Sequence, residues 1–583
     1  MKNKFWTKIK SFISFSPVLL LLIFTTWLKL IWVDQIMFDD PKNIAVLVFI
    51  VISFCSVIVY YSITILLKKY RGWMALLLSL MSSLVLWADI VYWRYFGTLI
   101  KVETLQIAGQ TTGVTDSVVS LLSFWDILFF LDVIIVLVYL IVTRKEAKPS
   151  TQNFKSRVKT FFLILAIVLI PVTITFIRDW NIHLRKFIYN NYDMNLIEFR
   201  YGAFLAHGIN GYRFFLTSLE HLDDAERQSA VDWISANVVG QEENEFTGLA
   251  ENKNIFLIQF ESLQDFVIDK NFEGEEITPN LNKLIRESYY LENGLTVIGG
   301  GATSDSDLAS NTSVYPLQDE ATFVRYGTND FTSIAKALKN EGYVANAYHA
   351  YRRDFWNRSA AFNSLGFDHF YAGEEYDDGD QLIMGLNDES FYRQTLTKTG
   401  NSTGPQFSYI ISLSSHHPFI MAEKYQSLGG GYKEGYDFQT YHYYQAIHYA
   451  DYALGIFLDG LKEQGLYEDS LIVVYGDHLA KIGDQESGEV QGMIENFNLT
   501  EMDKIPFIYK LPNQVDGRTL GHETSQLDLM PTILNLAGVS TDFPMFGGDA
   551  LAGTKRDITR EDSMHFSELL IRYNLFEDFA STK

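Results

Sequence analysis

A single cysteine serves all 583 residues, and Cys55 lies inside an apolar run. Disulfide-stapled scaffolds are therefore excluded, and any part of the chain folded outside the cell must rely on a large core of its own. Internal repeats and low-complexity linkers are also missing, which argues against solenoids and long disordered tethers. Positive charge is scarce in the later part: residues 179–583 carry 29 basic and 61 acidic residues, a net −32, whereas residues 1–178 carry 18 and 9. A surface of that sign repels nucleic acid, so no nucleic-acid partner is expected and an anionic substrate must be drawn in by a local cation. That requirement points to a metal.

Long apolar runs, by contrast, are abundant at the start. Five of them, at about 15–33, 44–66, 73–93, 125–143 and 160–177, fill the first 178 residues, and each is near the ~20 residues that cross a ~30 Å hydrocarbon core as helix. Trp and Tyr stand at their ends, where interface anchors belong. A cleaved leader would not be followed by four further runs, so the basic start MKNKFWTKIK is read as a cytoplasmic end. Lys2, Lys4, Lys8 and Lys10, then Lys68, Lys69 and Arg71, then Arg144, Lys145, Lys148, Lys155, Arg157 and Lys159 mark one side; Asp34, Asp39 and Asp40 mark the other. By the positive-inside rule an odd number of spans places everything after Arg178 outside. Within the runs, Asp89, Asp126 and Asp132 are read as interfacial.

Residues 179–250 have helical patterning and are expected to form a connector between a membrane domain, 1–178, and a catalytic domain, 251–583. From Asn254 short continuous apolar runs alternate with helical stretches: NIFLIQF, YVANAYHA, FSYIISLS, SLIVVYGD and IPFIYKL are the strand candidates. This texture predicts an α/β domain with a largely parallel sheet covered on both faces. In such sheets ligands bind beyond the carboxyl ends of the strands, and it is there that Glu261, His349, His416, His417, Asp477 and His478 fall.

Glu261, Asp477 and His478 offer two hard oxygens and an imidazole, a set that suits Mn²⁺, Mg²⁺ or Zn²⁺ without choosing among them. A fourth ligand that can also react is found in IGGGATSDSD: glycines 299–301 let the backbone approach closely, and a cation beside Thr303 would lower the pKa of its hydroxyl. Asp305 and Asp307 are expected to hold the loop or the ligands in place. In HAYRRDFWNR, Arg358 can clamp a phosphate and Trp356 can cover a polyol, with His349 close by. His416 suits protonation of a leaving alkoxide. His417 is expected to pack or face solvent, Asp528 to cap the helix LMPTILNLA, and His522 and Glu523 to have a structural or rim role, since no second histidine completes a zincin pattern.

The ordered set ESLQ, TPNL, GATSDSD, FWNR, LSSHHPF, GDH and QLDLMPTILNLAG resembles the sulfatase-like branch of the alkaline phosphatase superfamily. Within it, five amino-terminal spans, a threonine in TSDS and an FWNR segment are similar to lipoteichoic acid synthase and its relatives. The resemblance covers nearly the whole chain. It implies Mn²⁺ held by Glu261, Thr303, Asp477 and His478, and glycerol phosphate contacts at Trp356, Arg358, His416 and His349. It further implies a multi-pass protein of the cell membrane of a Gram-positive bacterium. Such a protein moves glycerol phosphate from phosphatidylglycerol, through a threonine-linked intermediate, to a glycolipid or polyglycerolphosphate acceptor. Tyr351, where the synthase pattern has aspartate, and Leu479 after GDH depart from it, which leaves open a primase that adds only the first unit. No A-x-A cleavage signal lies between the last run and Asn254, Gly248-Leu249-Ala250 being a weak substitute.

Other functions fit less well. A formylglycine sulfatase needs Cys or Ser where Thr303 stands, the further ligands of a two-metal phosphatase cannot be assembled, and a phosphoethanolamine transferase is expected to carry disulfides. A catalytically dead membrane sensor or scaffold would show a missing ligand.

Overall fold

The computed structural model describes residues 17–37, 45–105 (except 97 and 103), 115–143, 152–179, 194–219 (except 218), 221–480 (except 319, 383, 400–403, 430, 434 and 435), 482 and 502–580. Of the charged residues used above for orientation, Lys2, Lys4, Lys8, Lys10, Asp39, Asp40, Arg144, Lys145 and Lys148 lie outside them. The chain forms two compact units, residues 1–105 with 118–220 and residues 106–117 with 221–583.

The first unit is helical. Among the described residues, five helical segments are long and apolar enough to cross a membrane: Pro17–Met37, Val48–Leu66, Arg71–Arg94, Phe124–Thr143 and Phe154–Arg178. They contain helices α1 (Pro17–Met37), α2 (Ala45–Ser62), α3 (Arg71–Phe96), α4 (Leu131–Thr143) and α5 (Phe154–Asp179), which are followed by α6 (Met194–Tyr201) and α7 (Ala203–Thr217). Met194, Ile197, Ala206 and Ile209 of α6 and α7 join the same apolar core as Leu22, Val33 and Leu86. The residues expected as a connector are thus divided, because α8 (Asp224–Asn237) packs into the second unit through Ala230 and Ile234.

The three aspartates expected at the interface are instead buried and paired. Asp132 receives Lys29 Nζ at 2.5 Å together with the Thr25 and Ser79 hydroxyls, Asp126 forms a two-point pair with Arg94, and Asp89 meets His207 at 2.8 Å. A charge among apolar helices is tolerated when a partner side chain neutralises it, and each of these has one.

The second unit is built on an eight-stranded sheet. Its strands are β1 (Asn254–Phe260), β2 (Tyr289–Leu295), β3 (Val344–His349), β4 (His369–Tyr371), β5 (Gln406–Ile411), β6 (Ser470–Gly476), β7 (Ile505–Lys510) and β8 (Arg518–Ser525), in the spatial order β8-β2-β7-β6-β1-β5-β3-β4. All neighbours are parallel except that β7 opposes both β6 and β2. Alternate residues of the continuous apolar strands feed two cores: Ile255, Leu257, Leu471 and Val473 on one face, Phe256, Ile258, Ile472 and Val474 on the other. Each such side chain contributes ~1.5–3 kcal/mol on burial, which is how a cysteine-free domain holds together. Because β1, β3, β5 and β6 run the same way, residues 260, 349, 411 and 476 end at one edge. There the candidate site is assembled.

The expected cap on LMPTILNLA differs in detail. Asp528 stands at the N-cap position of the helix Leu529–Leu536, but its carboxylate turns back to accept from Ser525 N–H and Gly548 N–H. Its backbone is already helical, continuing a preceding 3₁₀ turn, so the geometry of a side-chain cap is not available.

Candidate active site

Glu261 follows β1 directly and Asp477 follows β6, its neighbour in the sheet. Their backbones interlock. Ser262 N–H and His478 N–H both donate to Asp477 Oδ1 at 2.7 Å, which fixes the carboxylate and leaves Oδ2 buried with no hydrogen-bond partner. Glu261 N–H donates to the Ser412 hydroxyl, the Ser415 hydroxyl donates to the Glu261 carbonyl, and the Ser262 hydroxyl donates to Glu261 Oε1. The Leu479 carbonyl accepts from His478 Nδ1 at 3.2 Å, which turns the other ring nitrogen, Nε2, toward the carboxylates. That nitrogen lies 3.4 Å from Glu261 Oε1, 3.4 Å from Asp477 Oδ2 and 3.2 Å from Thr303 Oγ1. The orienting group at 479 is a backbone carbonyl, which a leucine supplies as well as any residue.

This donor set fits a divalent cation. Ligand atoms of Glu261, Asp477 and His478 fall within 4.8 Å of one another, and all three residues are buried. Burial and the charge of Glu261 push the Asp477 carboxyl well above its ordinary value. Burial also works to raise Glu261, but His478 and His416 outweigh it and bring that carboxyl below its ordinary value. Two buried carboxylates side by side, one oxygen unpartnered, and an imidazole nitrogen turned toward them are unfavourable without a cation and complementary to one.

Thr303 is delivered from β2, at whose end the chain runs through glycines 299–301 into helix α9 (Thr303–Thr312). The glycines act through close approach. None has positive φ, yet a Cβ on Gly299 would lie 2.1 Å from the Leu317 carbonyl oxygen, and one on Gly300 would meet the Glu320 backbone at 2.8 Å. The strained residue is Ala302, at φ 43° and ψ −111°. Asp305 holds this shape, its Oδ2 accepting from Gly299 N–H and Gly301 N–H; burial still pushes its carboxyl up to about 7. Replacing Ala302 with glycine is expected to relieve the strain and stabilise the protein by about 1 kcal/mol, seen as a raised melting temperature. A lowered one would show that Ala302 is at ease.

Behind the nucleophile candidate lies a buried polar layer that sequence reasoning missed. Gln259 of β1, Tyr409 of β5 and Tyr475 of β6 stand on one face of the sheet, with both tyrosine hydroxyls on Gln259 Oε1. Gln259 Nε2 and Tyr409 OH also reach Asp307 Oδ1, while Arg358 Nε donates to Asp307 Oδ2 at 2.8 Å. The signal available was a polar residue inside each of three otherwise apolar strands. Asp307 thereby ties α9 to Arg358, which is buried and has Nη2 without a partner.

The remaining candidates are placed as follows. His349 is buried, and its Nδ1 donates to the Ile411 carbonyl, leaving Nε2 as an acceptor. Burial and the nearby Arg358 charge hold its pKa well below the ordinary value, so the ring is neutral. His416 is half-buried, its Nδ1 donating to the His417 carbonyl at 2.6 Å. His417 packs edge-on against Phe419, with burial lowering it to about 4. Trp356, with φ 58°, belongs to a small cluster with Tyr351, Phe355, Leu413 and Met384, so Tyr351 contributes an apolar wall where a carboxylate was expected. His522 donates to the Ala550 carbonyl and Glu523 pairs with Lys555; neither joins the carboxylate–imidazole group.

A mostly parallel sheet with these groups at its carboxyl edge defines a sulfatase-type domain of the alkaline phosphatase superfamily, and the Sulfatase family pattern matches residues 253–539. The pattern of the lipoteichoic acid synthase N-terminal domain matches residues 1–221. The chain belongs to the lipoteichoic acid synthase family of membrane enzymes. It is 28% identical over 510 residues to lipoteichoic acid synthase 1 of Bacillus subtilis (strain 168), covering 85% of this chain and 78% of that one. To the lipoteichoic acid synthase of Staphylococcus aureus (strain USA300) it is 29% identical over 511 residues, covering 82% and 75%. The crystal structure of the lipoteichoic acid synthase LtaP from Listeria monocytogenes superposes with a TM-score of 0.50 at 27% identity, over 55% of this chain and 81% of that one.

Proposed function

We propose that this protein is a metal-dependent phosphoglycerol transferase in which Thr303 carries the transferred group. The observation that bears most weight is the Thr303 hydroxyl 3.2 Å from His478 Nε2, beside two buried carboxylates of which one oxygen is unpartnered. In this reading Thr303 Oγ1 attacks the phosphorus of phosphatidylglycerol, and the bond to the diacylglycerol oxygen breaks. His416, reaching in from the end of β5, protonates that leaving oxygen. An acceptor hydroxyl on a glycolipid or polyglycerolphosphate chain then attacks the same phosphorus, gives its proton to His416 and restores the threonine. A divalent ion held by Glu261, Thr303, Asp477 and His478, which we take as Mn²⁺ with Mg²⁺ or Zn²⁺ matching the same donors, would supply Lewis acidity and lower the threonine pKa.

Arg358 supplies the phosphate contact: Asp307 holds its Nε, and the unpartnered Nη2 is left for a phosphoryl oxygen. Neutral His349 accepts a glycerol hydroxyl, and Trp356 covers the polyol. Arg358→Lys keeps a cation beside Asp307 but loses the fork, and kcat/KM for headgroup transfer is expected to fall about 10²-fold with the melting temperature little changed. Equal activity would remove Arg358 from the phosphate site.

The Lys and Arg bias of the first half supports a cytoplasmic N-terminus and a catalytic unit outside the cell. The deciding experiment incubates the full-length protein in vesicles with labelled phosphatidylglycerol, Mn²⁺ and glycolipid acceptors, and sizes the products. Long chains mean a synthase, a singly extended glycolipid means a primase, and free glycerol phosphate alone would replace this reading with a hydrolase.

A further inference from the structure

The helical unit contains a cavity of about 740 Å³ between α2, α3, α5, α7 and Ile100, Lys101, Val102 and Leu105. That volume lies in the ~300–1,000 Å³ range of small-molecule sites. Its walls are apolar, with Val59, Val85, Ala88, Leu169, Val172 and Leu205 among them. Its ionisable groups are gathered at one place: Asp89 and His207 meet at 2.8 Å, Asp89 also accepts from Ile100 N–H, and Lys101 follows directly in the lining. The Lys29–Asp132 and Arg94–Asp126 pairs join helices and do not line it.

The surroundings of membrane-crossing helices are lipid, which decides the class of occupant. Hydrocarbon satisfies the walls but offers nothing to the ionisable end, where Asp89 is already paired with His207 and Ile100 N–H, and His207 and Lys101 are the groups that can meet lipid oxygens. A lipid with an apolar tail and oxygen atoms at its glycerol end satisfies both, and Lys101 adds a cation for a phosphate. We propose that this cavity binds a diacylglyceryl lipid, tail along the α2–α3–α5 walls and glycerol-linked oxygens at His207 and Lys101, with Asp89 orienting the His207 ring. Its connection to catalysis rests on the transferase reading: such a lipid is either phosphatidylglycerol waiting to react or diacylglycerol leaving.

The test uses full-length protein carrying Thr303→Ala, so that no turnover consumes the probe, in phosphatidylcholine nanodiscs holding traces of phosphatidylglycerol or of diacylglycerol with a photoreactive acyl chain. Crosslinks are expected on lining peptides of α3 and α7. Ala88→Phe, or Ser56→Phe should the former fail to fold, is expected to reduce them several-fold. Ile135→Trp, on an exposed part of α4 outside the lining, should leave them unchanged, and His207→Gln should weaken capture without altering cavity volume. Capture of the phosphatidylglycerol probe alone assigns the site to substrate loading, and of the diacylglycerol probe alone to product exit. Capture of neither, or labelling spread around the bundle and indifferent to Ala88→Phe, overturns the proposal. Because binding is read without a nucleophile, a failed transferase reading leaves this result standing.

Discussion

Thr303→Ala is expected to abolish transfer of glycerol phosphate, lowering kcat by about 10³-fold or more, while phosphatidylglycerol still binds. The reason is that the neighbouring hydroxyls are engaged elsewhere. Ser304 donates to the Gly301 carbonyl, Ser262 to Glu261 Oε1 and Ser415 to the Glu261 carbonyl, and Ser412 accepts from Glu261 N–H. Thr303 alone among these faces His478. Thr303→Ser keeps a hydroxyl on the same helix turn and should retain measurable activity. Acid quenching of the unaltered protein during turnover should leave glycerol phosphate on the peptide containing residue 303, detected by mass. Activity of Thr303→Ala within tenfold of the parent would end this assignment, whichever metal is supplied.

Much of this site was legible because the strands are continuous apolar runs. NIFLIQF and SLIVVYG can only be buried strands, parallel order puts their carboxyl ends at one edge, and the residues that follow must then meet. IPFIYKL reads the same in either direction, which is why its antiparallel course in β7 had no sequence signal. The polar layer of Gln259, Tyr409 and Tyr475 was missed for a related reason: each strand shows one such residue, but only the register brings them together. The glycines were read as letting the backbone approach a cation, and the close approach they permit is to Leu317 and Glu320, well over ten residues away in sequence. Ala302 carries the strain instead, and φ is not written in a side chain. The membrane aspartates were misplaced because a charge looks exposed until its partner on another helix is known. Lys29, Arg94 and His207 supply those partners, at separations of 103, 32 and 118 residues.

Asp477→Asn is expected to split two quantities that usually move together. The unaltered protein should bind a divalent ion and melt higher with it, by about 2.7 kcal/mol when the ion stands at a hundred times its dissociation constant. In Asp477→Asn the amide oxygen can still accept from Ser262 N–H and His478 N–H, so the fold at the strand ends is kept. Its nitrogen replaces the unpartnered Oδ2 and can donate toward Glu261, with one buried negative charge removed. The metal-free variant should therefore melt at the same temperature as the metal-free parent or higher, while its response to Mn²⁺ disappears and transfer with it. Glu261→Gln should also lose the response to Mn²⁺, but its metal-free form should melt below the metal-free parent, because His478 and His416 favour the charge of the Glu261 carboxylate. Calorimetric titration of Mn²⁺ into each full-length variant, beside melting curves in chelator and in excess metal, measures both quantities. If Asp477→Asn melts far below the metal-free parent, its carboxylate is a structural support rather than a ligand. If both still bind Mn²⁺ as tightly as the parent, the ion sits elsewhere and Thr303 loses the group that makes its hydroxyl reactive.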